Sequence, residues 1–259
     1  MCGFIGYISK NNAEARLPSA LELIKHRGPD AHKYIIYEQK DKYIGFAHAR
    51  LSIIDLTDAA IQPFESRCDQ YSIIFNGEIY NYQEIRQELK NLGMVFYTDS
   101  DTEVLLAAWQ KWGLEVLRKL IGMFAFAVLD KRANKVTLVR DAFGIKPFFY
   151  NFDNSDLFFG SDIRAVTSLI GKKSQPNLQK AYDYLVHGDY DSSEQSFIEG
   201  VKHLSPGHWL EYDLITGAIT QPTVWWKPDL SKTSSLSFQD AAQRTRELFL
   251  DSINYHLRS

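Results

Sequence analysis

Short apolar runs of strand length alternate along this chain with amphipathic stretches of helical length. The apolar runs are bounded by polar turns and predict strands at 3–8, 33–37, 43–53, 71–75, 124–129, 136–140, 147–152 and 157–160. Helical patterns are predicted at 12–25, 82–92, from a capping box at Ser100 to about 112, and at 238–257. The strands are gathered, interrupted by helices and gathered again. This order favours an α+β sandwich of antiparallel sheets covered by helices over a parallel βαβ repeat.

The composition supports a full-sized core and argues against some classes of partner. The 259 residues are 45% hydrophobic and 14% aromatic, which is enough for one large domain or for one domain and part of another. The net charge of -3 is small, and the longest basic run is the pair Lys172-Lys173. We therefore expect neither nucleic acid nor a membrane surface as a partner.

The cysteines and the N-terminal region indicate a protein of the reducing cytoplasm. Cys2 and Cys68 are the only cysteines, too few for a disulfide framework. No Cys/His spacing is typical of a zinc site, so no metal is expected. The apolar stretch after Met1 stops at Ser9-Lys10, which is too short for a signal peptide or a membrane span.

Cys2 has the most informative position in the chain. Its small side chain permits removal of Met1, which would leave Cys2 with both a thiol and a free α-amine. An α-amine has a reference pKa of roughly 7.7–8.0 and can act as the general base for the thiol without a histidine. Most Met-Cys starts have no catalytic meaning, so this interpretation needs support from the rest of the chain.

Four further segments provide that support. They are HRGPD at 26–30, HARLSIID at 48–55, NGEIYN at 76–81 and SDTE at 100–103. Together with Cys2, in this order and spacing, they resemble the class II glutamine amidotransferases, whose domain belongs to the N-terminal nucleophile hydrolases. The forms HRGPD, RLSIIDL and NGEIYN are most similar to the glutamine-hydrolysing asparagine synthetase branch of that family.

The resemblance implies a four-layer αββα sandwich and a glutaminase mechanism. Cys2 would attack the amide carbon of glutamine, release ammonia and form a thioester that water resolves to glutamate. The Asn76 side-chain amide and the Gly77 backbone N–H would stabilise the oxyanion. No cofactor is implied for this domain. ATP and Mg²⁺ are implied only for a synthetase domain.

The resemblance also implies a set of residues that bind glutamine. Arg50 offers a planar fork suited to the α-carboxylate. Glu78 and Asp101 would hold the α-ammonium, and the backbone carbonyls of Leu51 and Ile53 would line the same pocket. Two acids and one arginine complement a zwitterion.

Several of these residues have plainer explanations. Without the family context, Asn76-Gly77 would be interpreted as a hairpin turn. Asp101 falls in the first turn of a predicted helix, where an acid is favoured anyway, and an arginine after a strand is often a surface charge. His26 and His48 are predicted to be structural, because the mechanism requires no histidine.

Three later features are assigned to the shape of the domain. RDAFGIKP at 140–147 is interpreted as a turn that shapes its far end. LSPGH at 204–208 and the pair Trp225-Trp226 are predicted to close the domain and meet its neighbour. Cys68 is predicted to be a free thiol without a role.

The chain divides at a polar stretch near residue 233. We predict a glutamine amidotransferase domain over 2–232 and the start of a C-terminal ATP-dependent synthetase domain over 233–259. The pyrophosphate loop SGGxDS that the resemblance implies for that domain does not occur in the sequence. A truncated piece is favoured over a naturally short protein, because the last helix has no later element to pack against.

The sequence leaves the acceptor of the ammonia open. The resemblance implies aspartate, and hence asparagine synthesis, by a synthetase domain in the same protein or in a partner chain. A sugar acid, a peptide or an antibiotic precursor is an alternative acceptor. A non-catalytic regulatory or dimerisation module is a third alternative, although the presence of Cys2, Arg50, Asn76 and Asp101 counts against it. A homodimer also stays open.

Overall fold

Strands and helices fill most of the computed structural model, which describes residues 2–190, 192–231 and 233–257. The strands of this part of the chain are β1 Gly3–Ser9, β2 Ala31–Gln39, β3 Lys42–Arg50, β4 Phe64–Glu65, β5 Tyr71–Ile79, β6 Gly122–Asp130, β7 Lys135–Arg140, β8 Phe149–Asp153, β9 Asp156–Gly160, β10 Lys202–His203, β11 His208–Asp213 and β12 Thr223–Val224. The α-helices are α1 Leu17–Glu22, α2 Tyr82–Asn91, α3 Asp101–Trp112, α4 Ile163–Ile170, α5 Leu178–His187 and α6 Phe238–His256.

The strands form two six-stranded antiparallel sheets. The order in the first sheet is β10-β8-β9-β1-β3-β2, and the order in the second is β12-β11-β7-β6-β5-β4. In the first sheet β1 lies between β3 and β9, so the N-terminal strand is central. In the second sheet β5 pairs with β6 over its whole length, whereas β4 covers only the start of β5.

Side chains alternate between the two faces of each sheet, and this alternation produces four layers. Phe4 and Ile74 point between the sheets, into a core shared by both. Ile5 lies on the outer face of the first sheet, in a cluster with residues of α1 and α4. Ile73 and Phe75 lie on the outer face of the second sheet, in a cluster with residues of α2 and α3. The predicted αββα sandwich is confirmed.

The predicted helices at 82–92, after Ser100 and at 238–257 are confirmed as α2, α3 and α6. Ser100 caps α3, because its Oγ accepts a hydrogen bond from the Glu103 N–H at 3.3 Å. The helix predicted at 12–25 is shorter, and α1 is flanked by the 3-10 turns Glu14–Arg16 and Lys25–Arg27. Asn12 is one cause, since its Oδ1 accepts from the Glu14 N–H at 2.8 Å and holds a local turn.

Strand β3 ends at Arg50, three residues before the predicted end of 53. The backbone N–H groups that follow are used by side chains from elsewhere. The Leu51 N–H donates to Cys2 Sγ at 3.3 Å, and the Ser52 N–H donates to Asp30 Oδ2 at 2.7 Å. The chain therefore leaves the sheet at residue 51 and enters a loop.

The interpretation of Asn76-Gly77 as a hairpin turn is wrong. Both residues lie inside β5, opposite Ala125 and Phe124 of β6. A Cβ at position 77 would overlap the Met123 carbonyl oxygen and would lie 2.7 Å from Phe124 Cα. Glycine is required here by the close approach of the neighbouring strand.

Phe148 lies in the core between the two sheets, and its replacement tests that core. Its ring is fully buried, with its centroid 5.4 Å from that of Phe4 and 6.1 Å from that of Phe159. We expect Phe148→Ala to lower the free energy of unfolding by about 3–5 kcal/mol, because it leaves a cavity. Urea denaturation measures the change. Phe238→Ala, at a side chain that is 88% exposed, is the matched control and should stay within about 0.5 kcal/mol of the parent. Equal losses in both variants would contradict a core between the sheets.

Candidate active site

One pocket collects residues from four distant parts of the chain. It lies where the start of β1, the end of β3, the open side of β5 and the start of α3 come together. All eight residues that the sequence singled out line this pocket: Cys2, Arg50, Leu51, Ile53, Asn76, Gly77, Glu78 and Asp101. They come from positions 2 to 101, so only the tertiary structure makes them neighbours.

The thiol of Cys2 lies against the loop that follows β3. Sγ accepts a hydrogen bond from the Leu51 N–H at 3.3 Å and is 3.4 Å from the Leu51 carbonyl oxygen. Burial raises the pKa of the Cys2 thiol above its ordinary value. In this environment the thiol needs a base or a nearby cation before it can act as a nucleophile.

The HRGPD segment at 26–30 contacts both Cys2 and the loop that follows β3. Arg27 Nε donates to the Cys2 carbonyl oxygen at 3.1 Å. Gly28 has no room for a side chain, because a Cβ there would overlap the Ala49 carbonyl oxygen. Asp30 then fixes the loop through its contact with the Ser52 N–H. This segment positions the candidate nucleophile without entering the pocket lining.

The open side of β5 presents three backbone N–H groups in a row. β4 has already ended at this level, so side chains take the place of a neighbouring strand. The Phe75 N–H donates to Gln62 Oε1 at 2.6 Å, and the Ile79 N–H donates to Asp101 Oδ2 at 3.0 Å. Alternation along an antiparallel strand directs the N–H of Gly77 to this same side. It lies between the two capped groups and faces the pocket.

Asn76 is the side chain that β5 places next to this edge. It is 1% exposed, and its Nδ2 lies 3.5 Å from Ser161 Oγ. Ser161 Oγ also accepts from the Phe4 N–H at 3.2 Å. Among the described residues, no hydrogen bond reaches Asn76 Oδ1. The amide is thus held at the junction of the two sheets.

His48 lies behind this edge. It is buried, and its Nε2 lies 3.0 Å from the Phe75 carbonyl oxygen. Burial lowers its pKa to about 4, so the ring is neutral near pH 7 and its Nε2–H donates to that oxygen. His48 joins β3 to β5, which agrees with its predicted structural part.

Arg50 is 7% exposed, so its interpretation as a surface charge is wrong. Its Nη1 donates to the Thr57 carbonyl oxygen at 2.7 Å, and its Nη2 donates to the Asp55 carbonyl oxygen. The Asp55 carboxylate accepts from the N–H groups of Thr57 and Asp99, each at 2.8 Å. Burial works against ionisation of Asp55, but these hydrogen bonds hold its pKa below the ordinary value. The loop thereby fixes the guanidinium at the wall of the pocket.

Asp101 is buried beside Glu78. Burial, assisted by the negative charge of Glu78, raises the pKa of Asp101 to about 7. A bound cation would stabilise the ionised form of this carboxyl group, which burial disfavours by removing water. The pair therefore forms the acidic side of the pocket, and Arg50 is a cation in its lining.

Gln62 and Lys146 are two of the lining residues that the sequence did not single out as site residues. Gln62 caps the Phe75 N–H, and its Nε2 donates to Thr102 Oγ1 at 3.2 Å. No sequence signal pointed to Gln62. Lys146 belongs to the RDAFGIKP segment, and the prediction that this segment shapes the far end of the domain is wrong, since Lys146 lines the pocket with Cys2.

The described residues contain no group of three or more His, Cys, Asp or Glu side chains that could hold a metal ion. No helix among them is long and apolar enough to cross a membrane.

Two solved structures share this architecture. The glutamine phosphoribosylpyrophosphate amidotransferase from B. subtilis, complexed with ADP and GMP, superposes with a TM-score of 0.60 at 18% identity, over 82% of this chain and 47% of that one. The allosteric regulatory enzyme of purine biosynthesis gives a TM-score of 0.61 at 17% identity. The chain shares the fold of these two structures. The family model of the glutamine amidotransferase domain matches residues 1–226, and the chain belongs to this family.

Within the family, the chain is similar to asparagine synthetases. It is 35% identical to asparagine synthetase [glutamine-hydrolyzing] 2 of Bacillus subtilis, a match that covers 100% of this chain and 36% of that protein. It is 29% identical to putative asparagine synthetase [glutamine-hydrolyzing] 2 of Methanocaldococcus jannaschii, of which it covers 53%. Amidase chry2 of Gibberella zeae is 30% identical over 81% of this chain. The chain thus spans about a third to a half of the length of these relatives, and the predictions of family and enzyme class are confirmed.

The raised pKa of Asp101 predicts how stability depends on pH. Between the ordinary pKa of 3.8 and about 7, the carboxyl is protonated in the folded chain and ionised in the unfolded chain. The contribution of Asp101 to the free energy of unfolding is therefore fully present below pH 4, and it is lost as the pH rises to 7. We expect Asp101→Asn to remove this pH dependence. The free energy of unfolding of the variant, minus that of the parent, should rise by up to about 4 kcal/mol from pH 4 to pH 7.5.

Urea denaturation at several pH values tests this expectation. Asp99→Asn is the control, because the neighbouring Asp99 side chain is 95% exposed. A stability difference between Asp101→Asn and the parent that stays constant with pH would show that Asp101 has an ordinary pKa.

Proposed function

We propose that this domain hydrolyses glutamine to glutamate and ammonia, with Cys2 as an N-terminal nucleophile. The observation that carries the proposal is the position of the Gly77 N–H. It is directed into a pocket that also holds the Cys2 thiol, while the N–H groups on either side of it are capped. An N–H fixed in this way is suited to a charge that develops on a carbonyl oxygen.

The first chemical step uses groups on both sheets. The Cys2 thiol transfers its proton to the Cys2 α-amine, and the sulfur attacks the side-chain amide carbon of glutamine. The carbonyl oxygen becomes an oxyanion, which accepts hydrogen bonds from the Gly77 N–H and the Asn76 amide. Collapse of the tetrahedral intermediate releases ammonia, which takes up the proton. Water then resolves the thioester to glutamate. No metal or cofactor takes part in these steps.

The charges of the pocket suit the α-carbon end of glutamine. Arg50 would bind the α-carboxylate with two parallel N–H groups. Asp101 and Glu78 would bind the α-ammonium, and binding would favour the ionised form of Asp101. The carbonyls of Leu51 and Ile53 are further acceptors on the same wall. The distance from Asp101 and Glu78 to Cys2 would then select a substrate whose side-chain amide reaches Cys2 while its α-ammonium is bound.

The α-amine of Cys2 is free only if Met1 is removed. Met1 lies outside the described residues. Processing is therefore a condition of the proposal, and the mass of the purified chain decides whether the condition is met.

We further propose that the ammonia serves a synthetase domain that uses ATP and Mg²⁺ to make asparagine from aspartate. Similarity to two asparagine synthetases and the partial coverage of their length support this. In this proposal the amidotransferase domain covers 2–232, and 233–259 begin the synthetase domain. Lys232, at that boundary, lies outside the described residues. The helix α6 buries none of its residues, as expected for an element that packs against a further domain.

A different acceptor is the second candidate. The similarity to amidase chry2, a protein that is not named as an asparagine synthetase, supports this candidate. A sugar acid, a peptide or an antibiotic precursor would use the same glutaminase chemistry. Ammonia-dependent amidation by the full-length protein, assayed with aspartate and with these other carboxylates, separates the two candidates.

The nucleophile is tested by intact mass and glutamate release. We expect the purified chain to lack the mass of Met1 and to release glutamate from glutamine. Cys2→Ala should abolish release, because no other group in the pocket can form the thioester. Cys68→Ser is the matched control and should keep the parent rate, since Cys68 is exposed and outside the pocket. Hydrolysis that survives in Cys2→Ala would disprove the mechanism. A processed chain that neither hydrolyses glutamine nor is labelled at Cys2 by diazo-oxo-norleucine would favour the non-catalytic module.

The oxyanion donor is tested by Asn76→Ala. We expect kcat for glutamine hydrolysis to fall about 10²–10³-fold with little change in KM, because the amide contacts the oxyanion more strongly than the ground-state carbonyl. Asn91→Ala, at an exposed residue of α2, should leave both constants unchanged. A rise in KM without a fall in kcat would assign Asn76 to substrate binding instead.

A further inference from the structure

The loop from 141 to 147 is held by an arginine that donates to three carbonyl oxygens. Arg140, at the end of β7, is buried. Its Nε donates to the Lys146 carbonyl oxygen at 2.8 Å, and its Nη1 and Nη2 donate to those of Leu204 and Gly144, each at 2.7 Å. Three directional contacts from one rigid guanidinium fix the path of this loop.

Asp141 holds the same loop from its N–H side. The side chain is fully buried, and its Oδ1 accepts from the N–H groups of Phe143 and Ile145 at 3.1 and 2.9 Å. Its Oδ2 accepts from the N–H groups of Phe124 and Lys146 at 3.2 and 3.0 Å. The peptide groups on both sides of Lys146 Cα are therefore anchored, the N–H by Asp141 and the carbonyl by Arg140.

This anchoring directs the Lys146 side chain into the pocket of Cys2. Lys146 is 2% exposed and lines the same cavity as Cys2 and Glu78. Lysine is rarely buried to this extent unless its charge interacts with other groups. Burial lowers the pKa of Lys146, while the negative charges of Glu78, Cys2 and Asp141 act in the opposite direction. A lysine in such a place has a local electrostatic effect larger than a surface lysine would have.

We propose that the buried Lys146 ammonium is a positioning group for protons at Cys2, favouring the thiolate over the thiol and the neutral α-amine over the ammonium. A positive charge stabilises an anion and destabilises a second cation, so one residue acts on both groups in the direction that the mechanism needs. The inference deepens the proposed glutaminase function and rests on it for its purpose, whereas the effect on the thiol can be measured without any turnover.

The other charges around Cys2 define what Lys146 has to offset. Burial and the carboxyl of Asp101 oppose formation of the thiolate, and Arg50 favours it. Further charged residues near Cys2 are Arg27, which contacts the Cys2 carbonyl, and Glu78 and Asp55, which share the pocket lining.

A purely structural explanation for Lys146 is that it neutralises Glu78. In that case its replacement would disturb the acidic side of the pocket and would leave the ionisation of the Cys2 thiol unchanged. The two explanations differ in the pH profile of thiol reactivity, because iodoacetamide reacts with the thiolate and requires neither glutamine nor Glu78.

The experiment measures the rate of alkylation by iodoacetamide from pH 5 to pH 10 in a Cys68→Ser background, where Cys2 is the only cysteine. Lys146→Met and Lys146→Gln are added to that background. Lys146→Arg is the variant that keeps the charge. Lys180→Met is the matched control, because Lys180 is equally buried, at 2% exposed, and pairs with Asp189 away from the pocket. Circular dichroism confirms that each variant is folded, and intact mass reports the state of the N-terminus.

We expect both neutral variants at 146 to react with iodoacetamide about tenfold more slowly at pH 7. The difference from the background should narrow towards pH 10, because Lys146, whose pKa is lowered by burial, loses its proton there. Lys146→Arg should restore most of the rate at pH 7, and Lys180→Met should match the background throughout. A profile in Lys146→Met or Lys146→Gln that equals the background overturns the proposal. So does a rate that is lower by the same factor at every pH from 5 to 10, because it would indicate altered access to the thiol.

Glutamate release from the same proteins separates this inference from the proposed function. A shifted alkylation profile in a background that does not hydrolyse glutamine would support the effect of Lys146 and would refute the glutaminase. Hydrolysis with an unshifted profile would do the reverse.

Discussion

The open side of β5 is the feature on which the rest of the site depends. A strand inside a sheet uses its N–H groups on both sides, but β5 loses its second neighbour where β4 ends. Buried N–H groups still require partners. Gln62 and Asp101 supply them for Phe75 and Ile79, so these two side chains accept the hydrogen bonds that a neighbouring strand would otherwise accept. Gly77 between them keeps an N–H directed into the pocket, and its lack of a side chain lets β6 approach closely enough to hold the edge straight.

The charged residues of the site are fixed mainly through the backbone. Arg50 and Arg140 both donate to carbonyl oxygens, and Asp55 and Asp141 both accept from N–H groups. In this way loops without regular secondary structure gain the rigidity of a strand or a helix. The arrangement also places charges where water is scarce, which strengthens their effect on neighbouring groups. A pocket built like this can distinguish ligands by charge as well as by shape.

The sequence predicted the architecture, and the eight residues that it singled out line one pocket. It failed where tertiary contacts decide the local structure. The strand-length apolar runs and the Ser100 cap were sufficient for the sandwich and for α3. The hairpin turn that local chemistry alone favours at Asn76-Gly77 does not form, because both residues lie inside β5. The close approach of β6 that requires a glycine there is not visible in the sequence. β3 was predicted too long, since its N–H partners Cys2 and Asp30 are distant along the chain. Lys146 was placed far from the site for the same reason. Nothing in the sequence marked Gln62, whose importance comes only from the point where β4 ends.

Ser161 gives the site an unusual dependence on the whole sandwich. Its hydroxyl contacts Phe4 of the first sheet and Asn76 of the second, so it joins the strand that follows the proposed nucleophile to the strand that holds the proposed oxyanion donor. These two proposed groups therefore lie on different sheets, and the distance between them depends on the position of one sheet relative to the other. The rate of the proposed reaction therefore depends on the relative position of the two sheets. A small sliding of one sheet over the other would change that rate while every strand and helix stayed intact.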